Sequence, residues 1–255
     1  MKCPSDNSGP AQPVRPKWPK VFEPLTARQE EVAADFMEHW LSVLPQRYGA
    51  IERFNQSYSV RHRPQRFLRT LEIGGGRGEH LDYEQLDDAQ RGQYHIVEVL
   101  PNLCEILRRR APWAQVLQAD CQERMPFPDG HFDRIIAIHV LEHLPNLPAA
   151  VRELHRLCRP DGGTLSAVIP CEGGLAYGLA RRISAQRIFE KRYGMPYDWY
   201  IRRNHVNTPG EIMEELAPHF RVAHRSFFPL RVPLVFCNLV IAMTCLPRGP
   251  ADGHE

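Results

Sequence analysis

A chain of 255 residues, 43% hydrophobic and 24% charged, has ordinary globular composition and can bury one sizeable core with a small appendage. Its formal net charge of +2 excludes a nucleic-acid-coating role, which needs a strongly basic domain, so no nucleic-acid partner is expected. The seven cysteines (Cys3, Cys104, Cys121, Cys158, Cys171, Cys237 and Cys245) form no CxxC pair and are odd in number. They argue against a disulfide frame or cysteine-based zinc site and for reduced thiols in the cytoplasm.

In chain order, residues 1–24 are rich in Pro, Ser and charge without an apolar stretch. This is no signal peptide, and a disordered tail is expected. Residues 25–66 read as a helical segment that packs on the main domain or covers its ligand site as a lid. Thr26 and Gln29 have capping-box spacing, and Val32, Phe36, Trp40, Val43 and Leu44 repeat at helical intervals until Pro45. A linking stretch with Tyr48, Phe54 and Tyr58 then leads into a first strand at 67–73.

From there short apolar strands alternate with helices. Strands are predicted at 94–99, 115–118, 134–138 and 164–169, with helices around 101–110 and 147–158 between them. The second helix stops at Pro160-Asp161-Gly162-Gly163, a strong turn signal. The alternation implies a parallel sheet covered on both faces. Residues 170–207 break the rhythm as an aromatic, basic insertion carrying Arg181, Arg182, Arg187, Lys191, Arg192, Arg202 and Arg203. Thr208-Pro209-Gly210-Glu211 then caps a late helix, and strands near 221–228 and 235–245 close a domain running from 67 to 247, before a short tail at 248–255. The apolar stretch from Phe227 to Leu246 is interrupted by Pro229, Arg231, Pro233 and Asn238, so stable membrane insertion is not expected, although surface contact stays open.

The most informative segment is Glu72-Ile73-Gly74-Gly75-Gly76-Arg77-Gly78. A strand that turns sharply under a bulky ligand needs glycines, because side chains would block the approach. A dinucleotide-binding G-x-G-x-x-G would place its third glycine at 79, which is Glu79. The pattern acidic-x-G-x-G-x-G instead resembles the first motif of class I S-adenosylmethionine-dependent methyltransferases. Val97-Glu98-Val99-Leu100-Pro101 resembles that family's second motif. Gln118-Ala119-Asp120-Cys121 and the loop Met125-Pro126-Phe127-Pro128-Asp129-Gly130-His131-Phe132-Asp133 continue the likeness, which covers residues 67–170.

The resemblance implies a Rossmann-like α/β fold with a seven-stranded, mostly parallel sheet, helices on both faces and the last strand antiparallel. It also implies S-adenosylmethionine as cofactor. Glu72, Gly74, Gly75, Gly76 and Gly78 would cradle it, Glu98 would accept from its ribose hydroxyls, and Asp120 with the backbone of Cys121 would hold its adenine. His139 and Leu141, at the end of the fourth strand, would flank its methionine part.

For the acceptor, His139 and His205 are the catalytic candidates, since His is the natural general base near neutral pH. His143, Tyr200, Arg203 and His205 are expected to line the acceptor pocket. His139 and His143 have HxxxH spacing, but no third ligand is evident, and no metal site is expected. The preferred acceptor is a small polar, anionic metabolite such as a sugar, sugar nucleotide or glycan precursor, methylated on oxygen; the chain resembles bacterial methyltransferases of surface-glycan or secondary metabolism. A lipid or quinone-like acceptor, favoured by the apolar C-terminus, and a non-catalytic cofactor-binding regulator remain as alternatives. The Asn-Pro-Pro-Tyr-type signature of amino-group methyltransferases is absent, since His139-Val140-Leu141-Glu142 stands there. The sequence leaves oligomeric state undecided.

Overall fold

The structure, a computed structural model, describes residues 17–249. Five strands, β1 (Thr70–Ile73), β2 (Tyr94–Glu98), β3 (Gln115–Gln118), β4 (Arg134–Ile138) and β5 (Thr164–Pro170), run parallel. β6 (Phe220–Phe228) and β7 (Val240–Pro247) complete one sheet in the order β3-β2-β1-β4-β5-β7-β6, with β7 antiparallel to both β5 and β6. The order reverses between β1 and β4, which makes their carboxyl ends the place where open α/β sheets bind ligands.

The helices are α1 (Ala27–Arg47), α2 (Gly49–Arg61), α3 (Asp88–Arg91), α4 (Pro101–Arg110), α5 (Leu147–Leu157), α6 (Leu175–Arg181), α7 (Arg187–Tyr193), α8 (Asp198–Asn204) and α9 (Pro209–Leu216). A π-helical turn at Arg182–Gln186 joins α6 to α7. The two sequence-predicted caps form as reciprocal pairs. Gln29 N donates to Thr26 Oγ1 and Thr26 N to Gln29 Oε1; Glu211 N donates to Thr208 Oγ1 and Thr208 N to Glu211 Oε2. Each satisfies two otherwise orphan donors. The α1 backbone runs past Pro45 to Arg47, so that proline does not end the helix.

The stretch expected to link α1 to the first strand contains α2. Its Ile51, Phe54 and Tyr58, at helical spacing, pack with Val168, Val240, Ala242 and Phe228 against one face of the sheet. The fully buried Tyr58 bonds Thr244 Oγ1 at 3.2 Å and His224 Nδ1 at 2.9 Å. The opposite face is covered by α5 and α9, whose Leu147, Val151, Leu154, Ile212 and Leu216 join the main core.

Of the insertion's aromatic rings, Tyr177 stands beside His205, its hydroxyl 3.5 Å from Nδ1, while the others gather elsewhere. Phe189, Tyr197 and Tyr200 pack around Phe36 of α1 in a separate cluster, with Phe36–Phe189 centroids 5.0 Å apart and Phe36–Tyr200 5.1 Å. Much of the expected N-terminal tail, residues 1–16, lies outside the described residues, as do 250–255 at the other end. Trp18 and Lys20, from the same stretch, are laid on the domain: Lys20 Nζ donates to the Val206 carbonyl at 2.6 Å and pairs with Glu211 at 2.7 Å.

Candidate active site

The glycine loop leaves β1 with Gly74 and Gly76 at φ of 66° and 55°, a region that L side chains rarely occupy. A Cβ at Gly74 would stand 2.5 Å from Val140 Cγ2, so the loop is pressed against the residue just past β4. Gly75 lies under Ile96 in the same way. At Gly76 a Cβ would meet only Glu79 Oε2, at 3.4 Å, so this face of the loop is open.

Glu98 ties the loop to the end of β2. Its Oε2 accepts from Gly76 N at 3.1 Å and its Oε1 from Val99 N and Leu100 N at 2.8 and 3.0 Å. A carboxylate offers about four lone-pair sites, so one stays open on Oε2, enough for one ribose hydroxyl where two were expected. Asp120, half-buried beyond β3, holds Gln122 through N at 2.8 Å and Nε2 at 3.0 Å, and Gln122 in turn accepts from Asn146 N.

Two cofactor-side expectations are corrected. Glu72 sits beneath the loop, 4% exposed, accepting from Tyr94 OH at 2.7 Å; burial pushes its carboxyl up despite nearby His80 and that hydrogen bond. Leu141 places its side chain in the main core and not beside the loop; Cys121 does the same, which leaves free the backbone role expected of it. Burial, with Asp120 beside it, pushes the Cys121 thiol up to about 12, so it is inert at neutral pH.

Two acceptor-side expectations are corrected as well. Tyr200 belongs to the aromatic cluster under α1, and Arg203 is exposed with its guanidinium 5.2 Å over the Phe22 ring. Of the insertion's arginines, Arg181 pairs with Glu172 at 2.6 Å and Arg192 with Asp35 at 2.9 Å.

What the fold does bring together is a histidine–carboxylate cluster just past β4. His139 takes a φ of 53°, uncommon for a residue with a side chain, while its N–H donates to Val168 O at 2.9 Å. That turn sets His139 Nδ1 3.0 Å from Glu142 Oε1. Glu142 is 1% exposed. Burial would raise its carboxyl, but the His139 hydrogen bond and the charges of His143, His139 and His205 outweigh it and hold it at about 2. Burial would lower His139, but its bond to Glu142 wins and its pKa is raised.

His143 Nδ1 faces the Asn204 carbonyl at 2.6 Å; burial lowers its pKa and Glu142 only partly opposes this. His205, 62 residues later in the chain, packs edge-on to His143 with ring centroids 5.1 Å apart. Its Nδ1 lies 3.1 Å from Glu172 Oε2, and Glu172 Oε1 is held by Arg181. Glu142, Glu172 and Asn204 carry no role in the sequence reading. The only local trace of the first is the Glu142-His143 dipeptide after a strand, and nothing local marks the others.

The family of the methyltransferase domain matches residues 71–165, which hold the glycine loop, Glu98, Asp120 and the His139–His143 turn. Over those residues the chain is similar to a methyltransferase domain. A malonyl-[acyl-carrier protein] O-methyltransferase of Halorhodospira halophila is 29% identical over 164 residues, 63% of this chain and 51% of its own length. A ubiquinone/menaquinone biosynthesis C-methyltransferase of Coxiella burnetii is 30% identical over 100 residues, 37% of this chain and 40% of its own length. The chain thus spans about half or less of these curated relatives. Among solved structures, a TehB-like S-adenosylmethionine-dependent methyltransferase from Corynebacterium glutamicum superposes with TM-score 0.55 at 13% identity, covering 86% of this chain and 100% of that one. The methyltransferase CalH, solved with S-adenosylhomocysteine, gives 0.55 at 17% identity over 87% of this chain and 66% of its own. The seven-stranded sheet of this chain is the fold of these S-adenosylmethionine-dependent methyltransferases.

Proposed function

We propose that this chain methylates a hydroxyl oxygen of a small polar acceptor. The residues suited to hold S-adenosylmethionine are the open face of Gly76 and its loop, the spare lone pair of Glu98, and Asp120 with the Cys121 backbone. That cofactor supplies a methyl group activated on a sulfonium. The observation that carries the reading is the contact of Val140 with Gly74, which places the His139–Glu142 pair next to the glycine loop.

Glu142 orients His139 by its bond to Nδ1, leaving Nε2 to accept the hydroxyl proton, as a carboxylate orients the base in other His-dependent sites. His205, steadied by Glu172, faces the same acceptor side. The ion-paired arginines give no support for a negative charge on the acceptor. Turnover of labelled cofactor with a panel of hydroxylated metabolites tests this. His139→Ala and His205→Ala should cut transfer at least about a hundredfold while S-adenosylhomocysteine binding stays within about threefold. Equal losses in both would remove the catalytic assignment, and no transfer to any acceptor would favour a non-catalytic cofactor-binding protein.

A lipid or quinone-like acceptor is the second reading. Leu175, Leu179 and Ile183, each about 60% exposed, line the outer side of α6 and the turn after it. Leu234 and Phe236, as exposed, lie on the adjoining segment at Val235–Cys237. Such an apolar patch suits an apolar acceptor or the surface that carries it. No helix among the described residues is long and apolar enough to cross a membrane.

A further inference from the structure

We propose that Glu142, His143 and His205 form a binding site for one divalent first-row transition-metal ion. A carboxylate oxygen of Glu142 and a ring nitrogen of each histidine all lie within 4.8 Å of one another. Ligands at about 2.1 Å from a tetrahedral ion stand ~3.4 Å apart, so an inward movement of about an ångström closes the set.

Three observations beyond proximity point to a cation. Glu142 is 1% exposed, and its Oε2 is buried without a hydrogen-bond partner. A buried, unsatisfied carboxylate oxygen is costly, and a bound cation removes that cost. Next, each histidine has its Nδ1 engaged by an oxygen acceptor from outside the trio: His143 by the Asn204 carbonyl at 2.6 Å, His205 by the Glu172 carboxylate at 3.1 Å. A carbonyl or carboxylate on one ring nitrogen is what orients the other toward a metal. For His143 the remaining Nε2 points toward Glu142 Oε1, 4.0 Å away. Finally, the ligand-bearing segments are held rigidly together. Val206 N and Asn207 N both donate to the Glu142 carbonyl, at 2.8 and 3.0 Å.

Two imidazoles and one carboxylate suit zinc, cobalt, iron or manganese and leave coordination positions open for a substrate oxygen. On the O-methylation reading, the ion would bind the acceptor hydroxyl and lower its pKa, with the proton passing to His139 Nε2.

The test uses the full chain stripped with a chelator and titrated separately with zinc(II), manganese(II) and cobalt(II). One ion per chain is expected, with cobalt(II) giving ligand-field bands from nitrogen ligation. His143→Ala and His205→Ala should each weaken affinity at least about a hundredfold while circular dichroism and S-adenosylhomocysteine binding persist. Glu142→Gln is the third arm, and the two histidine variants decide the matter if it does not fold. Binding no tighter than about a millimolar for all three ions, or binding that both histidine variants leave unchanged, would overturn the site. Metal binding without methyl transfer would sink the O-methylation reading and leave the site standing. Transfer that survives chelation in a protein that binds no ion would do the reverse.

Discussion

Asn207 reaches back 66 residues to donate its side-chain amide to the carbonyl of Leu141 at 2.7 Å, and it bonds Leu144 O at 2.8 Å with the same group. The side chain is 1% exposed. These bonds, with the two backbone donors onto Glu142, lay the end of the insertion on the turn after β4 and set His205 beside His143. Replacing Asn207 by Ala strands two buried carbonyls and should cost about 2–3 kcal/mol in chemical denaturation. Acceptor turnover should fall further than cofactor affinity, because the glycine loop is untouched.

Gly74 and Gly76 should separate packing from ligand access. Gly74→Ala drives a Cβ into Val140 and should lower the melting temperature sharply, with Val140→Ala restoring part of the loss. Gly76→Ala meets only Glu79 Oε2 at 3.4 Å, so it should fold with about 1 kcal/mol of backbone strain. Calorimetry with S-adenosylhomocysteine should nonetheless show at least about tenfold weaker binding, since the added methyl projects from the open face.

Beneath the loop, Arg134 is fully buried and pairs with Glu84 at 2.5 Å, while Glu84 also bonds His80 at 2.7 Å. Glu84→Ala leaves a buried guanidinium without its counter-charge and should cost about 3–5 kcal/mol by urea denaturation. A loss under about 1 kcal/mol would mean that water reaches Arg134.

The same carboxylate gives a pH signature. Burial would raise Glu84, but the His80 bond and Arg134 hold it down at about 2, against 4.5 ordinarily. A depressed carboxyl stabilises the fold fully above its unfolded value and loses that contribution as pH falls through its folded value. Stability should therefore decline from about pH 4.5 toward pH 2, and Glu84→Gln should flatten that limb of the pH–stability curve.

Much of the scaffold was legible because its signals are local. The strands from β1 to β5, helices α4 and α5 and both capping boxes follow from apolar runs and cap chemistry within a few residues. Within the helical segment at 25–66, α2 reads as a linking stretch although Ile51, Phe54 and Tyr58 repeat at helical spacing, because polar residues between them dilute the pattern until the sheet face is there to bury those three. Tyr200 and Arg203 went astray for a related reason. A composition rich in aromatic and basic residues describes a pocket wall and the inner face of a helical cover equally well, and only the position of Phe36 on α1 decides between them.

By itself the sequence determined the glycine turn, the acidic residues at the end of β2 and just past β3 and hence the methyltransferase fold, since these depend on backbone constraints at short range. Only the tertiary structure decided which groups gather past β4. His139 and His143 showed two histidines without a third partner, and the third, His205, stands 62 residues away in the chain. Buried hydrogen bonds from Asn207 and Val206 close that distance, and no local pattern encodes them.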